Sequence, residues 1–282
     1  MLPAVLEVPS VTPGRTHRRA RSRMPIAAAA VGLALLASPR AGANIRAPRT
    51  IPESPSSALA SAGGTLTVVR ERLRFVCGAE ACAVSAEYDV TATEATRARL
   101  EFVLPVASPV TATTNGAAGS VVQVVPARPA GPGWENLPAD TGLGAAPLFS
   151  AAFESAFREG SNTVTVRYSQ PLGGEETGYR YGKAGRMVQR FRYELWPLRE
   201  WTRSPSFRLE LAVAIDRPAP SWWARRFGNP RSIACLATNP GAALAGRREQ
   251  RGGQLWYEAG IGPSIPDRIT CYIGDEDLMP RY

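Results

Sequence analysis

The chain has 282 residues, with 33 Lys or Arg against 24 Asp or Glu, a formal net charge of +9, and one histidine, His17. That imidazole precedes every strand-forming segment, so the folding part lacks the means for Ser-His-Asp or Cys-His catalysis and for a His-ligated zinc, copper or iron site. Nor does the charge suggest a nucleic-acid footprint: about +5 of it belongs to the first 43 residues, and the other arginines are spread over many expected strands with no basic block among them.

The N-terminal segment reads in three parts. Arg15, His17, Arg18, Arg19, Arg21 and Arg23 are followed by the apolar run 26–37 (IAAAAVGLALLA), then by Pro39 and Ala41-Gly42-Ala43. Basic, apolar, small is the order of a secretory signal peptide, here residues 1–43. The apolar run is well short of the roughly 20 residues that a spanning helix needs. Met24 offers a second start that would remove most of the basic part. Residues 44–64 are rich in Pro, Ser and Ala without a period and read as a flexible linker. The expectation is an exported protein, periplasmic or extracellular, with no membrane span in its mature chain. Its folded domain is expected over 65–282, with a lobe boundary allowed near residue 170.

From there the dominant signal is a period of two. Residues 65–77 form a strand whose Leu73, Phe75 and Cys77 share a face, with Val68-Val69 marking a bulge. In 82–105, Cys82, Val84, Ala86, Tyr88 and Val90 take one face, and Ala98, Leu100, Phe102 and Leu104 resume the alternation after Thr93-Glu94-Ala95-Thr96. Such alternation builds strands with one buried face, and the short polar connection predicts that these two pair as an antiparallel hairpin. Asn115-Gly116 is a strong turn signal after 111–115. A short strand follows at 121–125, and a Pro- and Gly-rich irregular loop at 126–147.

In 148–158 the phenylalanines Phe149, Phe153 and Phe157 suit a helix as well as a strand. The turn Gly160-Ser161-Asn162 before a strand at 163–168 favours the strand. Residues 170–185 read as a Gly-rich loop. Strands are expected at 187–196, 207–215, 231–238, 254–259 and 268–274, then an acidic tail. About ten strands with almost no helix predict an all-β, antiparallel sandwich of immunoglobulin-like type.

An even number of cysteines in an exported chain argues for disulfides, Cys77 with Cys82 and Cys235 with Cys271; the distant second pair does not suit a four-thiolate zinc site. No phosphate-binding loop of the G-x-x-x-x-G-K-[ST] kind surrounds Lys183. No cofactor or metal is expected. Asp275-Glu276-Asp277 lacks the ligand spacing of a calcium loop and reads as a solvated tail. Carboxylate chemistry is the alternative function: a carbohydrate-active hydrolase needs two acids flanking a bond. Glu87 and Asp89 on one outward face, Glu101 on the adjacent strand, and Glu175-Glu176 are the candidates.

For binding, Trp222, Trp223, Arg225, Arg226 and Phe227 concentrate residue types found at interface hot spots. With Tyr179, Tyr181, Arg190 and Arg192 they are a candidate groove for an envelope or extracellular protein or glycan. The plainer alternative is a tryptophan plugging the end of the sandwich under arginine stems.

Three stretches carry a resemblance: 100–105 (LEFVLP), 160–168 (GSNTVTVRY) and 191–197 (FRYELWP). In this order they are similar to an uncharacterised group of exported bacterial β-sandwich proteins, over residues 65–216. The resemblance implies the fold and an exported location; it carries no active-site residue. Together these features predict a non-enzymatic binding or structural module of the cell envelope.

Overall fold

The computed structural model describes residues 50–51, 56–58, 60–61, 65–104, 108–118, 120–126, 149–177, 186–199, 201–215, 230–238 and 242–280. In chain order the strands are Thr50–Ile51 (β1), Ser56–Ser57 (β2), Ala60–Ser61 (β3), Leu66–Cys77 (β4), Ala81–Ala92 (β5), Thr96–Leu104 (β6), Thr111–Thr114 (β7), Ala117–Ala118 (β8), Ser120–Pro126 (β9) and Phe149–Phe157 (β10). They continue as Gly160–Pro171 (β11), Gly173–Thr177 (β12), Arg186–Glu194 (β13), Thr202–Ile215 (β14), Arg231–Thr238 (β15), Ala242–Ala243 (β16), Gly246–Arg251 (β17), Gln254–Ile261 (β18) and Arg268–Asp275 (β19). The helical content of the described residues is two short 3-10 turns, Trp196–Arg199 and Glu276–Leu278. The all-β class expected from the alternation is what the chain adopts.

The strands form three sheets. The largest has the order β17-β18-β14-β4-β5-β11-β7-β8. A second runs β1-β12-β13-β19-β15-β16 with β2 beside β13, and a third β3-β6-β10-β9. Ladders are antiparallel except β4 with β14 and β2 with β13. The inner face of the large sheet carries Phe75 and Tyr88, and also Tyr168, which pairs in register with Val84. Phe75 stacks on Phe191 of the second sheet at 4.2 Å, and Tyr168 meets Phe102 of the third at 5.7 Å. Both smaller sheets therefore cover one face of the large sheet, and one apolar cluster joins all three. The other face of the large sheet carries half-exposed and exposed side chains, and no described strand lies over it.

Turn chemistry matches the ladder. Asn115 (φ 54°) and Gly116 (φ 81°) both sit at positive φ between β7 and β8, the conformation that a two-residue hairpin needs. Gly252 (φ 58°) and Gly253 (φ 83°) repeat it between β17 and β18. The cysteines pair as expected, each pair directly opposite in register: Cys77 with Cys82 across β4 and β5, Cys235 with Cys271 across β15 and β19. The bulge lies where the two valines suggested, between Val68 and Arg70, and 149–157 is strand.

Two expectations are corrected. β5 and β6 do not pair; β5 lies between β4 and β11, whereas β6 pairs with β10 and β3 in another sheet. Residues 93–95 carry the chain from one layer to the facing one, where Phe102 of β6 meets Tyr168 of β11 across the core. Alternation reports which side of a strand is buried, not which strand lies beside it. The 170–185 loop is likewise shorter than expected. β11 continues to Pro171, and Gly173–Thr177 pairs with β13. A Cβ on Gly174 would stand 2.8 Å from the Val188 carbonyl, so this strand uses the glycine that made it look like a loop.

Another glycine makes a measurable prediction. The Tyr257 ring occupies the space where a Gly246 side chain would stand, while its hydroxyl donates to the Leu244 carbonyl at 2.7 Å. Gly246→Ala must push the edge strand β17 off β18, with a loss of about 1–3 kcal/mol. Faster amide exchange confined to β17, with a lower Tm, is the expected result.

Candidate binding face

The residues that alternate with the core set build the solvent face. On β4 they are Arg70, Arg72 and Arg74, on β5 Glu87 and Asp89, on β14 Arg208, Glu210 and Ala212, and on β18 Trp256, Glu258 and Gly260. Register fixes their rows: Glu258, Ala212 and Arg74 lie across three strands, and Gly260, Glu210, Arg72 and Glu87 form the next row. Arg72 thus falls opposite Glu210 and Glu87, and Arg70 opposite Asp89, while Arg208 stands on the other side of Arg70. Arg70 donates to Asp89 at 2.7 Å, Arg72 to Asp89 at 3.0 Å and also to Glu87, and both lie within 3.8 Å of Glu210. The hydrogen bond to Asp89 holds the Arg70 guanidinium above its ordinary pKa. These half-exposed pairs order the face more than they stabilise it, since exposed ion pairs contribute about 0–1 kcal/mol each.

Ala212 and Gly260 interrupt this lattice. Between Arg72 and Arg74 on one side and Glu258 on the other, with Glu210 at its flank, lies an open depression of about 530 Å³. A second of about 420 Å³, lined by Arg208 and Pro263, shares Glu210 and Gly260 with it, so a groove runs along β14 and β18. Beyond its end, the Arg74 guanidinium carbon lies 4.8 Å from the centroid of the Trp256 ring, and that of Arg251 lies 5.9 Å from it. Arg251 is held by Glu258 through two hydrogen bonds, at 2.6 and 3.0 Å, and by Glu249 at 2.9 Å. Its hydrogen bond to Glu258, then that to Glu249, raise its pKa.

A different arrangement lies beneath this face. The bulge at Val68 and Arg70 shifts the inward parity of β4 from even to odd positions, which turns Glu71 into the interlayer core at 0% exposure. The Tyr193 hydroxyl donates to its Oε1 at 2.9 Å and lies 3.0 Å from the Tyr88 hydroxyl. Burial raises the Glu71 pKa from 4.5 to about 7, while hydrogen bonds from Tyr88 and Tyr193 act in the opposite direction. With no surface, this carboxyl reaches no substrate; it ties β4 to β5 and β13.

The acids weighed for hydrolysis do not converge. Glu87 and Asp89 are engaged by Arg70 and Arg72, and Glu101 lies on β6 in another sheet rather than on the adjacent strand. Glu175 is exposed and Glu176 buried on β12. In the acidic tail, Arg186 binds Asp275 at 3.2 Å and Asp277 at 2.7 Å, and no group of three metal-ligating side chains occurs among the described residues. Arg192 lies 3.4 Å from the buried Glu194, which also accepts from Arg268 at 2.7 Å, and Arg190 is half-buried on the same strand. Tyr179, Tyr181, Trp222, Trp223, Arg225, Arg226 and Phe227 lie outside the described residues. Sequence reasoning missed Glu71, Arg74 and Trp256, although carrying the two-residue period of β4 back from Leu73 reaches Glu71.

No family model matches the chain, and no curated protein matches it in sequence. Among solved structures, a Legionella pneumophila protein provisionally described as nutrient-binding matches 79% of this chain over 72% of its own, at 11% identity and a TM-score of 0.50. An M1 zinc metallopeptidase from Deinococcus radiodurans matches 75% of this chain over 43% of its own, at 14% identity and a TM-score of 0.37. The leukotriene A4 hydrolase of Saccharomyces cerevisiae matches 76% over 30%, at 9% identity and 0.36. The first of these likenesses is one of fold.

Proposed function

We propose that the protein is an exported, non-enzymatic binding module of the cell envelope, and that the groove along β14 and β18 is where its ligand lies. The observation that carries this reading is a break beside the charge lattice that Arg70 and Arg72 form with Glu87, Asp89 and Glu210. Over Ala212 and Gly260 the face drops into an open depression of about 530 Å³, within the roughly 300–1,000 Å³ typical of small-molecule sites. Two disulfides fit an oxidising compartment outside the cytoplasm. The nutrient-binding description attached to a Legionella protein of this fold agrees with the reading without carrying it. The aromatic and arginine-rich segment with Trp222 and Trp223 is a second contact surface under the same proposal.

The test is a thermal-shift screen of the purified protein against organic acids, amino acids and glycan fragments. A ligand that raises Tm should lose that effect in Ala212→Trp, which fills the groove with a side chain that strands accept. A Trp222→Ala, Trp223→Ala double variant reports on the second surface. Stabilising ligands that bind Ala212→Trp unchanged remove the groove from the proposal, and turnover traced to the purified protein removes the non-enzymatic reading.

A further inference from the structure

We propose that Arg74 anchors the carboxylate of a small monocarboxylic acid whose apolar body lies over Ala212 and Gly260. The inference rests on the groove reading above and names the ligand class. On this face Arg70, Arg72, Arg247 and Arg251 each hold a carboxylate. Arg74 has no carboxylate partner among the described residues; its contact is the Trp256 ring at 4.8 Å. A guanidinium held against an aromatic ring uses none of its five N–H donors in doing so, and it loses less freedom when a planar oxyanion arrives. The indole N–H of Trp256 also has no acceptor among the described residues. Arg208, likewise without a carboxylate partner among the described residues, lines the adjoining depression but no ring contact fixes it.

The register explains why the fold does not neutralise Arg74 itself. Glu258 lies in the same row, but two strands away across Ala212, about 10 Å at the usual strand spacing. Its two oxygens are taken by Arg251. A cation and an anion that each face elsewhere leave the space above an alanine open between them. The rim selects the anion. Glu210 and Glu258 line the same depression, so a dianion such as phosphate meets two carboxylates, whereas a single carboxylate can reach Arg74 and keep its apolar part on the small-residue floor. A ligand carboxylate suits the planar fork of arginine in two-point contact.

The experiment titrates the full-length protein with N-acetyl-leucine, its uncharged amide and inorganic phosphate, following the indole N–H signal of Trp256 by NMR. N-acetyl-leucine is expected to move that signal. The amide should bind about tenfold more weakly or worse, phosphate should leave the signal in place, and Arg74→Gln should weaken N-acetyl-leucine by a similar factor. Arg74→Lys, which keeps the charge but not the planar fork, should fall between. Arg74 is exposed, so an unchanged Tm verifies that each variant is folded. If the amide binds as well as the acid and Ala212→Trp abolishes both, the carboxylate assignment is overturned while the groove reading stands. If no probe moves the signal at millimolar concentration, the assignment is overturned. Binding of the acid that survives Ala212→Trp overturns assignment and groove together.

Discussion

Replacing Glu71 by glutamine should stabilise the protein at pH 8 by on the order of 3 kcal/mol and change little at pH 4.5 or below. The sign follows from where the proton sits. The folded chain binds it up to about pH 7, whereas in the unfolded chain the carboxyl ionises near 4.5. Between these values the unfolded state has released a proton that the folded state keeps, so stability falls as pH rises. The contribution is fully present below 4.5 and gone above about 7; at roughly 1.36 kcal/mol per pH unit this gives the stated magnitude. Glutamine has nearly the same shape and no proton to lose. The groups facing Glu71 are hydroxyls, Tyr88 from β5 and Tyr193 from β13, and the Tyr193 hydroxyl is itself pushed well above its ordinary range, first by burial and then by Glu71. Urea unfolding of both chains at half-unit steps from pH 4.5 to 8 measures the difference. Parallel profiles would show that the buried carboxyl is not held neutral. Tyr193→Phe supplies a second arm: it removes a donor that favours the ionised form and should move the window to higher pH.

What could be read from the sequence divides along a physical line. Burial on one side of a strand depends on the local period, so the inward sets of β5, β6, β11 and β14 are legible without knowing any partner. Sheet membership depends on how the chain bends at a connection, and Thr93-Glu94-Ala95 suits a crossing between layers as well as a hairpin. β12 was hidden because Gly173-Gly174 reads as a loop, although its glycine is required by the close approach of Val188. Glu71 is legible only when the two-residue period of β4 is carried back from Leu73. The bulge at Val68-Val69 was foreseen, but its consequence is a change of parity that sends the next odd position inward. The candidate groove was not legible at all. Arg74 and Trp256 are far apart in sequence, and they meet because β14 runs parallel to β4 and antiparallel to β18 in one register. The Trp222 segment was conspicuous by composition, a signal that says nothing about what surrounds it.

On the loop-entropy account, removing the Cys235–Cys271 disulfide by paired alanine substitution is expected to lower the unfolding free energy by about 4 kcal/mol, against about 2 kcal/mol for Cys77–Cys82. The contrast comes from sequence separation, 36 residues against 5, because each bond joins residues already opposite in a ladder. For a domain of this size the difference amounts to roughly 2–4 °C of Tm per kcal/mol. The longer loop also has a particular course. It leaves the second sheet at β15, supplies β17 and β18 to the edge of the large sheet, and returns as β19. Opening the bond frees in the unfolded chain the segment that carries Trp256 and Glu258 to the groove. Opening Cys77–Cys82 releases only a tight turn between strands that remain paired over most of their length. Urea unfolding of the two double variants measures the first contrast, and amide exchange in β17 and β18 measures the second. An equal loss from both pairs would mean that strain or packing at the bond, rather than the size of the loop, sets what each cross-link contributes. Protection of β17 and β18 that survives the loss of Cys235–Cys271 would mean that the β14 ladder alone holds the groove strand in place.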